Sequence, residues 1–485
     1  MRCLAFDLGG SGGKLFTGTL REDRLIVAPV YDFPNRFQDR TDGLFWDLAG
    51  IRRHMALGIQ KASADGAVDS FGADSFNNDF ALLDASGIPM LPMRCYRDSR
   101  MVRCSDRIYD VIPREKLYSY TGNQLASFNT FMQLASMCIE GEGHILKQAD
   151  TMLLLSDLLG YDITGAKYAE YTAAAETQFL DTATHRWIPE VLNAFDIPTH
   201  LLPQVVEPGT VVGRATESFC LKNGIRPFDH VAVCQHDTAS AFAATAMEDS
   251  AIISSGTWSL IGLLTPGPVI TDQTYRYNIA NEGGLPGKHR LLKNVMGMWI
   301  LQELLREYAA DGLVFSYAQT QELAAQAPAF AYLFDPDAPE FFQPGQMLEK
   351  IRSACHSAWG RAPQTPGEVF RTVYECLALR SRYALERLEE VTGQHPASVN
   401  VLGGGSRDAF ACRCLAGAMG RPVYAGPANA TAIGNLLVQL AAHGQISMAE
   451  APELIRRSFQ SLCYEPENSP LWNAHYEAFL EKYHL

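Results

Sequence analysis

Four short segments of the chain carry the residue types that phosphate and hydroxyl chemistry needs. The first is Gly9-Gly10-Ser11-Gly12-Gly13, followed by Lys14. Glycines permit unusual backbone angles and close approach of a ligand. Successive N–H groups in such a turn form an anion-binding concavity, and Lys14 adds a point charge. Asp7 ends the preceding apolar run, where it is placed to hold a magnesium ion through water. The alternative is a plain hairpin turn. A Walker A loop is excluded, because Leu8 stands where its first Gly belongs and Leu15 follows the lysine. A dinucleotide fingerprint is excluded too, because the segment opens into a strand pattern and not a helix.

The second segment is His236-Asp237-Thr238-Ala239-Ser240-Ala241, where a strand pattern gives way to a helical one. Asp237 reads either as a helix N-cap or as a general base accepting a hydroxyl proton during phosphoryl transfer. His236 reads either as a donor to a substrate oxygen or as a satisfied polar residue. The third segment, Ser254-Ser255-Gly256-Thr257-Trp258, has the hydroxyls and N–H groups of a second phosphate turn. The fourth, Gly403-Gly404-Gly405-Ser406, strips side chains from a strand-to-helix turn and suits a nucleoside lying on the backbone. Neither His-Glu-x-x-His, nor a Gly-x-Ser-x-Gly elbow, nor a His/Cys metal cluster is present.

The elements around these segments follow from pattern. Residues 3–8, 14–20 and 24–33 read as strands of an antiparallel meander. Residues 51–64 read as a helix, 68–74 and 79–83 as strands, and 100–200 as mostly helical. A second cycle starts near residue 230: a strand over 230–235, a helix over 237–247, then strands over 251–255 and 258–264. A long helix over 369–391 is closed by Gly393. The strand 398–402 leads into the triple glycine and a helix to about Met419. A short strand at 422–424 and a helix over 431–443 follow. Each half thus carries a strand–glycine turn–strand unit, a repeat of form and not of residue identity.

With 485 residues the chain is too long for one core, so two domains are expected with a boundary near 245. The formal net charge of −14 makes nucleic acid a poor candidate partner, and none is expected. Locally, N–H groups, a few cations and a metal must therefore hold phosphates. The 11 cysteines are odd in number and lack Cys-x-x-Cys spacing, which predicts small buried thiols. No signal peptide and no membrane span is expected.

Taken in order, these segments resemble the FGGY family of sugar kinases over about residues 3–440. Further blocks carry the likeness: Gly72–Leu83 with Asp74 and Asp79, Tyr96-Arg97-Asp98-Ser99-Arg100, and Glu170-Tyr171-Thr172. Asn281-Glu282-Gly283-Gly284, Lys293-Asn294-Val295-Met296-Gly297 and Thr431–Asn435 complete the set. Within the family the likeness is greatest to the branch that phosphorylates L-rhamnulose.

The resemblance implies an α/β fold of two actin-like (ribonuclease H-like) domains flanking a central cleft. Residues 1–244 would bind sugar and form the first phosphate loop, and residues 245–485 would bind ATP. It implies a phosphotransferase using ATP and Mg²⁺, with Asp237 as base and the γ-phosphoryl group passing to a ketose hydroxyl. L-rhamnulose is the first expectation. L-fuculose, xylulose or ribulose is the alternative, and a non-catalytic sensor or a chaperone-type ATPase the alternative class. Implied ATP contacts are Gly10, Ser11, Gly12, Gly13, Lys14, Gly256, Thr257, Gln302, Gly404 and Gly405, with Asp7 toward magnesium. Implied sugar contacts are Asn77, Asp79, His236, Asp237, Thr238 and Asn294. A cytoplasmic monomer or homodimer, with small-molecule partners only, is expected. Phe76 and Asn77 stand where that branch usually has Trp and Gly. Asn77 is expected to add bulk and hydrogen-bonding groups to a pocket wall. Gly12, Lys14, Asp408 and Asn429 are lesser departures.

Overall fold

The opening apolar run is the central strand of a sheet, which explains why it does not alternate. In the computed structural model, which describes residues 1–485, it forms β1 (Arg2–Leu8). A tight turn leads to β2 (Gly12–Arg21) and then β3 (Arg24–Pro34). The helix α1 (Leu48–Ala64) follows, then β4 (Ser70–Ser75), β5 (Thr210–Arg214), β6 (Asp229–Ala232) and α2 (Asp237–Ala243). The six strands lie in the order β5-β6-β4-β1-β2-β3. β1 runs antiparallel to β2 and parallel to β4, and β4 is parallel to β6. The expected meander is therefore present. The strand expected over 230–235 stops at Ala232, and the helix expected to reach 247 ends at Ala243.

The second cycle supplies β7 (Ser250–Ser255), β8 (Trp258–Thr265), β9 (His289–Met296), α3 (Trp299–Ala310) and α4 (Pro366–Thr392). It continues with β10 (Ser398–Leu402), α5 (Ala409–Met419), β11 (Val423–Ala425), α6 (Ala430–Ala442) and β12 (Leu462–Tyr464). β7 is antiparallel to β8 and parallel to β10, which is parallel to β11. The pairing around β7 repeats the pairing around β1. The ends of α4 follow from its sequence. Thr365 and Glu368 form a capping box around Pro366, and Gly393, at φ 68°, ends the helix in the left-handed conformation.

The chain divides into two compact units. The first contains Met1–Ala246, and the chain returns to it twice, with Leu264–Leu291 and Ala430–Ser458. The second contains Met247–Leu263, Leu292–Asn429 and Phe459–Leu485. In the first, Leu4, Phe6 and Leu8 of β1 pack on Ile51, Met55 and Ile59 of α1, and a second cluster gathers the helical middle around Phe131 and Phe179. In the second, Ile300, Leu304, Phe370, Val373 and Phe479 share one core. Nine of the eleven cysteines are buried and all are free, as small apolar side chains. No helix is long and apolar enough to cross a membrane.

Candidate active site

Three parallel strand ends meet at one edge of the first sheet, the edge where open α/β sheets hold ligands. Asp7 near the end of β1 pairs in register with Asp74 of β4 on one side and with Lys14 of β2 on the other. Ser75 bridges to His236, so the segment after β6 completes the edge. The fold thus brings together Asp7, the residue 9–13 turn, Lys14, Asp74, His236, Asp237 and Thr238.

Asp237 is not the N-cap. His236 occupies that position and Asp237 is the first residue of α2. Its Oδ1 accepts from Thr238 N at 2.5 Å and from Thr238 Oγ1 at 3.2 Å. Thr238 is itself buried, so it holds the Asp237 carboxylate in place. The Asp237 side chain keeps 30% of its surface exposed among buried neighbours, which leaves the carboxylate open to a substrate. Burial and then the Asp237 charge push Asp7 up to about 7, against the lowering effect of Lys14. Burial and then Asp7 push Asp74 well above the usual carboxylate range. Asp74 Oδ2 accepts from Asn435 Nδ2 of α6 at 2.6 Å, while its Oδ1 is buried without a partner. Three mutually repelling carboxylates and a bare buried oxygen fit a divalent cation with oxygen ligands.

Behind Asp237 lies a buried charge cluster. His236 Nδ1 is 2.8 Å from Glu176 Oε1 and accepts from Arg290 Nη2 at 3.1 Å. Arg290 is fully buried, with Nη1 2.9 Å from Glu282 Oε2 and Nε donating to Gly283 O at 2.6 Å. Glu176, His236 and Glu282 have metal-ligand spacing, but the Arg290 guanidinium already supplies the cation there. Burial raises Glu282 well above its usual range. Glu170, also buried, accepts from Thr172 N, Ala173 N and Gln235 N and so fixes the backbone just before His236. Arg290 and Glu176 were absent from the sequence expectations. The signal for Arg290 was a charge inside the strand pattern His289-Arg290-Leu291-Leu292. Nothing local marks Glu176.

Asn77 and Asp79 sit just past β4 and both are fully buried. Asn77 has φ 58° and Asn78 φ 69°. Gly and Asn are the residues that take this conformation most readily, so Asn at a usual Gly position preserves the turn. The Asn77 amide donates to Ala173 O at 2.8 Å, and its Oδ1 is buried without a partner. Asp79 accepts from Trp46 Nε1 at 2.5 Å, Tyr96 N at 3.0 Å and Gln133 Nε2 at 2.8 Å. Phe76 packs in tilted contact with Trp46 and Tyr96 at centroid distances of 4.8 Å and 5.6 Å.

Burial pushes Asp79 up to about 7 despite its three donors. A carboxyl whose folded value exceeds its unfolded one binds its proton more tightly when folded. Its stabilising contribution is full below the unfolded value, is lost as pH rises through the folded one, and is flat above. Thermal unfolding of wild type and Asp79→Asn between about pH 4 and pH 8 should show wild type losing ground to the variant up to about pH 7. A pH-independent difference contradicts this assignment.

The glycine turns work differently from expectation. None of Gly9, Gly10, Gly12 and Gly13 has positive φ. They serve close packing: a Cβ on Gly13 would lie 2.4 Å from the Phe33 ring, and one on Gly12 3.0 Å from Phe33 O. The turn is a hairpin closed by Gly9 N to Gly12 O at 2.9 Å, and Ser11 and Lys14 are exposed.

In the second unit Met298 N donates to Gly256 O and Trp299 N to Thr257 O, which joins that hairpin to the start of α3 and to Gln302. A Cβ on Gly405 would lie 2.0 Å from Ser255 Oγ, whereas one on Gly404 meets nothing within 4 Å. Gly403 and Gly405 therefore pack against the end of β7, and Gly404 alone faces open space. Asp408 caps α5 through Ala411 N. Asn294 Oδ1 is buried without a partner.

A duplicated strand–turn–strand fold with carboxylates at the strand ends defines a class. Residues 3–244 match the N-terminal domain of the FGGY family of carbohydrate kinases, and residues 251–443 match its C-terminal domain. The chain belongs to this family and is a phosphotransferase acting on a sugar hydroxyl. It is 34% identical over 479 residues to a rhamnulokinase of Bacteroides thetaiotaomicron, covering 98% of each chain. It is 34% identical over 488 residues to a rhamnulokinase of Enterococcus faecalis, covering 99% of this chain and 97% of the relative. In fold it is similar to ligand-bound xylulose kinase from Lactobacillus acidophilus, with a TM-score of 0.81 at 17% identity, covering 99% of this chain and 96% of that one.

Proposed function

We propose that this protein transfers the γ-phosphoryl group of ATP to a hydroxyl of L-rhamnulose. The observation that carries the substrate is the near full-length likeness to rhamnulokinases, 98% of each chain for the Bacteroides relative. Asp237 is the general base: a partly exposed carboxylate at a helix start takes the hydroxyl proton as the phosphoryl group arrives. Asn77, Asp79 and Asn294 are assigned to the sugar; the His236 ring nitrogens face Arg290 and Asp237, which leaves neither for it. The main-chain N–H groups of residues 10–13, with Lys14, and those of Gly256 and Thr257 are assigned to the phosphates. Gln302, Gly404 and Gly405 are assigned to the nucleoside. Asp7 is the residue assigned to magnesium, through water, and Asp74 and Asp237 lie beside it. Magnesium, when bound, neutralises phosphate charge. A cytoplasmic place, as monomer or homodimer, accords with this chemistry.

ADP formation over L-rhamnulose, L-fuculose, xylulose and ribulose tests the reading. L-rhamnulose should give the highest kcat/KM. Turnover on none of them would point to a sensor, and turnover without any sugar to an ATPase. The Phe76-Asn77 departure favours a second reading, a kinase for another ketose. Asn77→Gly removes a buried amide and its bond to Ala173 O. We expect its kcat/KM to fall about 2- to 13-fold on L-rhamnulose, the size of one lost hydrogen bond, with KM for ATP unchanged. Equal loss on every ketose would show that Asn77 supports the fold and does not choose the sugar.

A further inference from the structure

The buried cluster behind Asp237 contains a competition over one proton. His236 Nδ1 faces two groups that want opposite things of it. Glu176 Oε1, 2.8 Å away, favours a proton on Nδ1. Arg290 Nη2, 3.1 Å away, carries only donors and favours a bare Nδ1. The other ring nitrogen, Nε2, lies 3.3 Å from Asp237 Oδ1. Whichever group wins at Nδ1 therefore decides whether Nε2 presents a donor or a lone pair to the Asp237 carboxylate.

Arg290 is the group that cannot yield. Its guanidinium stays charged and is fully buried. Its Nε is committed to Gly283 O at 2.6 Å and its Nη1 lies 2.9 Å from Glu282. The guanidinium carbon lies 5.8 Å from the ring centre of Phe242, on the helix that carries Asp237. Glu176 can yield, because burial raises it and it can take a proton itself. With a permanent cation 3.1 Å from Nδ1 the ring carries a single proton, and the choice of tautomer is decisive.

We propose that Arg290 is a positioning residue for the transfer step: by donating to His236 Nδ1 it keeps the ring proton on Nε2, where it faces Asp237 Oδ1 and orients that carboxylate. This rests on the reading of Asp237 as the base. Without Arg290 the proton moves to Nδ1 toward Glu176, and the bare Nε2 repels Asp237.

The wild-type protein labelled with ¹⁵N-histidine tests the tautomer directly. His236 signals are assigned by their loss in His236→Gln, and long-range ¹H–¹⁵N correlation reads which nitrogen bears the proton. The Nε2–H form is expected in wild type and the Nδ1–H form in Arg290→Met. An Nδ1–H or doubly protonated ring in wild type overturns the proposal.

A double-mutant cycle on turnover is the second measurement. Arg290→Met should lower kcat about 10-fold or more, the effect of misorienting one catalytic group, with KM for ATP unchanged. In a His236→Gln background, where an amide donor needs no tautomer set, Arg290→Met should cost nothing further. Independent, multiplying losses would show a merely structural role and overturn the proposal. If Arg290→Met does not fold, Arg290→Lys, which keeps the charge but not the fork, takes its place, and the wild-type spectrum still decides. If Asp237→Asn keeps full turnover while the Nε2–H form is seen, the general-base reading fails and not the tautomer.

Discussion

Asp237→Asn should leave L-rhamnulose binding largely unchanged and lower turnover by about 10²–10⁴-fold, the size of a lost general base. The substitution keeps the side chain's shape. An amide oxygen in place of Oδ1 still accepts from Thr238 N, so the start of α2 stays closed. Only the capacity to take a proton goes. The neighbouring carboxylates do not replace it. Asp7 is held in register between Lys14 and Asp74, and Asp74 is fully buried and bonded to Asn435. Calorimetry of sugar binding, beside kcat at saturating ATP, separates the two effects. Near-normal kcat would remove Asp237 from the mechanism. Unchanged kcat with weakened sugar binding would make it a binding residue only.

Gly434→Ala should damage both stability and activity. Gly434 lies in α6, where that helix crosses α2, and a Cβ there would stand 1.7 Å from Ser240 O and 2.7 Å from the Ser240 carbonyl carbon. Both are backbone atoms of the helix that begins at Asp237. A side chain could rotate away, but a helix backbone cannot, so the two helices must separate. Overpacking of this kind costs about 1–3 kcal/mol or more, a fall in Tm of about 2 °C or more. The next residue, Asn435, holds Asp74 Oδ2 and also donates to Gly72 O. Separation therefore moves carboxylates on both sides of the site. A displacement near 1 Å costs about 10²-fold in rate. Gly267→Ala is the control, since a Cβ there meets nothing within 4 Å and its φ is ordinary. Wild-type Tm and kcat in Gly434→Ala would show that the crossing does not set the site.

The difference between these two residues marks how far the sequence could be read. The place of Asp237 at a helix start was legible because a strand-to-helix change is a local signal. The residue 9–13 turn was legible as a hairpin for the same reason, since β1 and β2 are adjacent in the chain. Its reason was not legible. The ring of Phe33, which demands Gly13, arrives from β3, so a packing requirement looked like conformational freedom.

The β1-β2-β3 meander was readable from period and glycine punctuation, and the fold class from the family resemblance. The return of Leu264–Leu291 and Ala430–Ser458 to the first unit was not, because such returns are set by long-range packing. Arg290, Glu282 and Asn435 reach the site by these returning segments, which is why their contacts to His236 and Asp74 were unreadable. Asn77 shows the opposite case. At its φ of 58° an Asn keeps the backbone turn of a Gly while adding a side chain, a conformational fit the sequence does not display.

The most direct test of the whole account is a ³¹P NMR time course of the wild-type protein with Mg²⁺-ATP and L-rhamnulose. The account predicts one sugar phosphate ester per ADP, no accumulating inorganic phosphate, and no ATP loss when sugar is omitted. Inorganic phosphate released in step with ADP, with or without the sugar, would contradict it.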